Sequence, residues 1–140
     1  MDKSVRVWSA VTGECEQTLA GHSRSVMSAA FSRDGQKIVS ASRDNTVRVW
    51  SAVTGECEQT LAGHSDSVNS AAFSRDGQKI VSASDDKSVR VWSAVTGECE
   101  QTLAGHSSLV NSAAFSRDGQ KIVSASRDNT VLVRRVEAPR

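Results

Sequence analysis

The sequence predicts an all-β protein built of small, four-stranded antiparallel sheets stacked face to face. Three observations carry that prediction. A 42-residue unit recurs three times along the 140-residue chain. Each unit holds four short runs rich in Val, Ile, Thr and Phe, separated by turn residues. No segment shows the 3.6-residue periodicity of an amphipathic helix.

The repeat is close to perfect. SAVTGECEQTLAGHS begins at Ser9, Ser51 and Ser93, AAFSRDGQKIVSAS begins at Ala29, Ala71 and Ala113, and VRVW ends at Trp8, Trp50 and Trp92. The units occupy 9–50, 51–92 and 93–134, with an extra N-terminal strand at 4–8 and a tail at 135–140, so the whole chain, 1–140, reads as one repeat domain.

Within the second unit the strands are expected at Glu56–Leu61, Val68–Phe73, Lys79–Ser84 and Ser88–Trp92, with equivalents in the others. The strand pair around Arg75-Asp76-Gly77 needs a tight hairpin, in which glycine supplies the positive φ that other residues avoid. Thr54-Gly55 supplies the same chemistry one connection earlier. A four-stranded sheet this small cannot bury both faces alone, so consecutive sheets must stack.

Composition narrows the function. With 17 basic and 16 acidic residues the net charge is +1, so no overall field draws the chain to nucleic acid or to an anionic membrane. No apolar run approaches the length needed to cross a bilayer, and Met1 is followed by Asp2 and Lys3 and not by an apolar signal core; the expectation is a cytoplasmic protein. Cys15, Cys57 and Cys99 fall one per unit, which argues against a disulfide framework. Without a Cys-x-x-Cys or Cys/His cluster, neither a metal nor another cofactor is expected.

The Gly-His pairs at 21–22, 63–64 and 105–106, each followed by SASRDNTV or SASDDKSV and, in two units, by RVW, resemble the WD-repeat family. The resemblance covers nearly the whole chain. It implies a β-propeller in which the outermost strand of each repeat belongs to one blade and the next three strands to the following blade. It also implies a structural tetrad: His22, Ser40, Asp44 and Trp50 in the first unit, His64, Ser82, Asp86 and Trp92 in the second, and His106, Ser124 and Asp128 in the third. Ser42 and Ser84 lie on the same strand faces as Ser40 and Ser82, so the choice within each Ser-Ala-Ser stays open. A Ser-His-Asp set also suits a hydrolase, but its recurrence in successive units is what a structural clamp looks like, and no catalytic residue is expected.

Two departures from the family pattern stand out. Trp-Ser replaces Trp-Asp at Trp8-Ser9, Trp50-Ser51 and Trp92-Ser93, and the last unit carries Arg134 where tryptophan belongs. Three blades cannot close a ring, since propellers typically use four to eight. Head-to-tail association of chains supplies the remedy, and the expected partner is a second copy: a homodimer of six blades, with a homotrimer of nine as the alternative. Ser4 to Trp8 and Thr130 to Arg134 then compete for one slot in the composite blade.

Eight of the 42 columns vary among the units, and two of these change only in the divergent last strand. The other six lie in two connections per unit that emerge at the same end. They mark a candidate binding face formed by Arg24, Ser25, Met27 and Arg43, by Asp66, Ser67, Asn69 and Asp85, and by Ser108, Leu109, Asn111 and Arg127. The expected function is a non-enzymatic scaffold that takes an unknown protein or peptide on this face. The alternative is an engineered or truncated repeat fragment with a purely structural, self-assembling role and no natural ligand.

Overall fold

The computed structural model describes residues 2–136, so the end of the tail, 137–140, lies outside the described residues. Among the described residues, thirteen strands and no helix form the fold. They are β1 (Val5–Trp8), β2 (Cys15–Leu19), β3 (Val26–Phe31), β4 (Lys37–Ser42), β5 (Thr46–Ser51), β6 (Cys57–Ala62) and β7 (Val68–Phe73). The remainder are β8 (Lys79–Ser84), β9 (Val89–Ser93), β10 (Cys99–Leu103), β11 (Val110–Phe115), β12 (Lys121–Ser126) and β13 (Val131–Arg135).

Two complete blades run β3-β4-β5-β6 and β7-β8-β9-β10, every pairing antiparallel. A third blade, β11-β12-β13, lacks its outer strand, and β1-β2 forms a separate two-stranded ribbon. Each outer strand therefore comes from the repeat after the one that supplies its three inner partners. The total is one strand more than three four-stranded blades contain.

Strand limits differ by one residue from the sequence expectation in several places. β6 begins at Cys57 and not Glu56, because the Glu56 carbonyl accepts the Ser51 N–H at 2.9 Å and closes the Ala-Val-Thr-Gly turn. β9 begins at Val89 because Ser88 has no ladder partner on β10, which ends at Leu103 opposite Val89, whereas Thr46 pairs with Ala62. For the same reasons β2 starts at Cys15 and β13 at Val131, while β1 starts at Val5 and not Ser4, whose N–H bonds Asp2 Oδ1.

The second strand of each complete blade is buried on both faces, since a sheet lies on either side of it. Val39, Ala41, Val47, Val49 and Leu61 of the first blade pack against Val68, Ala71, Ile80 and Trp92 of the second. Val81, Ala83, Val89 and Val91 repeat the contact against Val110, Ala113 and Ile122. The ribbon covers the other face of the first blade, with Val5 and Leu19 on Ile38 and Trp50. Each of the buried valine, leucine and isoleucine side chains contributes about 1.5–3 kcal/mol by leaving water.

The row of sheets stays open within the chain. On the last blade Val131 and Val133 are 64% and 63% exposed, whereas their counterparts Val47 and Val49 are buried. At the opposite end Trp8 and Phe31 are each 56% exposed, against 1% for Trp50 and Trp92.

Candidate functional site: a variable loop face above buried histidine networks

In each complete blade one chain of hydrogen bonds ties two connections to the two middle strands. The Trp92 indole N–H donates to Ser82 Oγ at 2.8 Å, Ser82 Oγ lies 2.6 Å from His64 Nε2, and His64 Nδ1 lies 2.8 Å from Asp86 Oδ2. The first blade repeats this with Trp50, Ser40, His22 and Asp44 at 2.9, 2.6 and 2.9 Å. One arrangement satisfies every member: the hydroxyl donates to Nε2, and the imidazole carries its proton on Nδ1, facing the carboxylate.

The acids are held by more than the imidazole. Asp44 Oδ2 also accepts the Ser23 N–H at 3.0 Å, and its other oxygen accepts the Thr46 N–H and hydroxyl. Ser88 plays the part of Thr46 in the second blade. This hydroxyl was missed from sequence, although its column reads Thr46, Ser88 and Thr130 and so keeps the hydroxyl while varying.

Burial pushes the His22 and His64 imidazoles below their usual range, against the opposing pull of the neighbouring carboxylates. Burial acts to raise Asp44 and Asp86, but the hydrogen bonds from Thr46 or Ser88, from the imidazole and from backbone N–H groups outweigh it and hold both at about 2. The histidine is therefore neutral beside an ionised acid, and their contact is a charge-assisted hydrogen bond and not an ion pair.

The second serine of each Ser-Ala-Ser does a different job. Ser42 Oγ donates to the Ser25 carbonyl at 2.9 Å and accepts the Asp44 N–H at 3.1 Å, fastening one variable connection to the other. Ser84 and Ser126 repeat it.

The third network is incomplete. His106 Nδ1 stands 2.9 Å from Asp128 Oδ2 and its Nε2 2.8 Å from Ser124 Oγ, but no indole reaches that hydroxyl. Hydrogen bonds, that from the Thr130 hydroxyl foremost, keep Asp128 well below the usual carboxylate range. Arg134, at the tryptophan position, sends its guanidinium past the serine to the Ala104 carbonyl.

Ser40 and Ser82 are fully buried and already bonded to an indole, which leaves no room at the hydroxyl for a substrate carbonyl. Among the described residues no cluster of His, Cys, Asp and Glu could hold a metal ion.

The twelve variable-face residues are all exposed or half-buried. Nine of them lie, as expected, in two connections per unit, whereas Met27, Asn69 and Asn111 stand one residue inside β3, β7 and β11. The two connections run side by side: the N–H groups of Arg43, Asp85 and Arg127 donate to the carbonyls of Ser25, Ser67 and Leu109 at 2.9, 2.9 and 3.2 Å. Asn69 links neighbouring blades, donating to Asp85 Oδ1 at 2.7 Å and to the Val110 carbonyl at 2.8 Å. A rigid floor of network residues thus carries the changeable side chains.

Four-stranded antiparallel sheets stacked on their faces, with each outer strand borrowed from the following repeat, define an array of β-propeller blades. The chain belongs to the WD-repeat family: the family profile described as "WD domain, G-beta repeat" matches residues 13–51, 55–93 and 97–134. Curated relatives share single-repeat stretches. The chain is similar to Autophagy-related protein 16 of Arabidopsis thaliana, 42% identical over 32% of this chain and 9% of that protein. It is similar also to Nuclear distribution protein PAC1 of Mycosarcoma maydis, 41% identical over 28% of this chain and 9% of the relative. Protein tipD of Dictyostelium discoideum is 41% identical over 31% of this chain and 7% of its own length. The chain thus spans less than a tenth of the length of these relatives.

Proposed function

We propose that this chain is a non-enzymatic scaffold that binds a protein or peptide on the variable face of a propeller closed by association of chains. The observation that carries the reading is where the repeats differ. Six columns vary at one end of the blades, while the Ser-Arg-Asp-Gly and Ala-Val-Thr-Gly turns at the other end are identical in all three units. Membership of the WD-repeat family, a family of interaction scaffolds, supports it.

The face mixes Arg24, Arg43 and Arg127 with Asp66 and Asp85, which suits a partner segment carrying both signs of charge better than a nucleic acid or a membrane. Closure by a second copy gives six blades, and by two further copies nine. The three exposed thiols fit a reducing, cytoplasmic setting.

Selection of peptides from a mixed-charge library, followed by titration, tests the reading. Replacing Arg43, Asp85 and Arg127 by alanine is expected to weaken a selected peptide at least tenfold, while alanine at Arg33, Arg75 and Arg117 on the opposite turns leaves it unchanged. Equal losses from both sets would overturn the assignment of the face. The near-identity of the units favours one second reading, a self-assembling repeat without a ligand, for which the library yields no binder.

A further inference from the structure

We propose that the incomplete third network is finished in trans: the β1-β2 ribbon of a second copy docks beside β12, displaces β13, and places Trp8 on Ser124 Oγ. This rests on ring closure between chains and adds which strand fills the composite blade.

The ribbon is already shaped as the outer half of a blade. Its register, Val5↔Leu19, Arg6↔Thr18, Val7↔Gln17 and Trp8↔Cys15, repeats that of β5-β6, Val47↔Leu61, Arg48↔Thr60, Val49↔Gln59 and Trp50↔Cys57, with the irregularity at the same point. Its sequence, Val-Arg-Val-Trp, is that of β5 and β9, whereas β13 reads Val-Leu-Val-Arg. Trp8, exposed at the free end of the ribbon, has no hydroxyl to meet within its own chain; Ser124 and His106 hold a network one indole short.

In each of the two complete blades an ion pair also runs from the second strand to the outer one, Lys37 to Glu58 and Lys79 to Glu100. By position the third pair is Lys121 with Glu16. These two lie at opposite ends of the chain, and among the described residues neither makes an ion pair. Docking a ribbon from a second copy brings them together. It also covers Val123, left 42% exposed on the last blade, and Phe31 at the head of the incoming chain.

The choice between β1 and β13 turns on Arg134. The slot it occupies is the one in which Trp50 and Trp92 are enclosed, at 1% exposure, once an outer strand is present. An enclosed guanidinium there has the Ala104 carbonyl and no carboxylate, an arrangement that desolvation penalises. A tryptophan in the same slot meets Ser124 and lies against Gly105, as Trp50 lies against Gly21. Keeping β1 also preserves its hairpin, closed by Ser9 N–H to the Glu14 carbonyl at 2.9 Å.

The experiment compares full-length chains by light scattering over a dilution series. Leu132→Pro weakens β13 by removing a ladder donor that faces β12, Val7→Pro and Trp8→Ala weaken β1, and Trp8→Phe gives the emission of Trp8 by difference from the unaltered chain. The proposal expects the unaltered chain and the β13 variant to hold the same discrete oligomer, with Trp8 emission at the blue position of a buried indole. It expects the β1 variants to dissociate at concentrations at least tenfold higher. Arg134→Trp, which restores a tryptophan to β13, is expected to return Trp8 emission toward that of an exposed indole. An oligomer that survives the β1 changes and falls apart with the β13 variant overturns the strand assignment and leaves ring closure standing. A monomer at every concentration overturns ring closure and this proposal together.

Discussion

Ser82 Oγ lies 2.6 Å from His64 Nε2 while accepting the Trp92 indole N–H at 2.8 Å, so a single hydroxyl keeps two buried aromatic groups satisfied. Removing it strands both. Ser82→Ala is expected to cost about 2–4 kcal/mol, the penalty of leaving two buried polar groups unpaired. Urea denaturation of Ser82→Ala beside Thr60→Ala, a change on the exposed outer strand, checks this; equal midpoints would rule out the clamp role.

Acid should loosen the fold in two stages. His22 and His64 are held below their ordinary 6.5 in the folded chain, so the unfolded chain binds more protons once pH falls below that value. The contribution is fully present above pH 6.5 and is lost below it. Asp44 and Asp86, lowered from 3.8 to about 2, add a second loss as pH falls between those values. Urea midpoints measured from pH 7.5 downward should decline accordingly, and a His22→Gln/His64→Gln chain should show a flatter profile above pH 4.5.

Lys87 sits at φ 73°, in the left-handed region, where Asn45 and Asn129 hold the same place in the other units. Asparagine adopts this conformation at lower cost than lysine because its short side chain bonds locally. Lys87→Asn is expected to raise stability by about 0.5–1 kcal/mol. A lower melting temperature for the variant would contradict that account.

The Lys37–Glu58 contact looks like a strong link and should behave as a weak one. Both side chains are more than a third exposed, so solvent screens the pair. Glu58→Gln should change stability by less than about 1 kcal/mol, and the change should shrink further in high salt. Denaturation at low and high ionic strength separates this from a buried pair, whose loss is larger and less dependent on salt.

Much of this was legible in the residues because repetition multiplies every signal. One Gly-His followed by Ser-Ala-Ser and Trp is a weak pattern, but the same spacing around His22 and His64 fixes blade, offset and network members together. Alternation could not separate Ser40 from Ser42, since residues two apart share a strand face. Only their place along β4 distinguishes them: Ser40, towards the middle of the strand, reaches the indole, and Ser42, at its end, reaches the carbonyl of the neighbouring loop. The strained backbone at Lys87 was hidden too, because lysine carries none of the turn preference that Asn45 and Asn129 announce.

The two ends of the stack match each other, and among the described residues neither carries the polar cap with which repeat arrays usually terminate. Val131 and Val133 face outward at one end, and Trp8 and Phe31 at the other. If chains associate as proposed, growth by addition ends only when the curvature between successive sheets brings the last free face round to the first, so the size of the particle would be written in the angle between blades and not in the length of the chain. A substitution that opens that angle by a few degrees, far from either end, would trade a small closed particle for a larger one or for an endless filament.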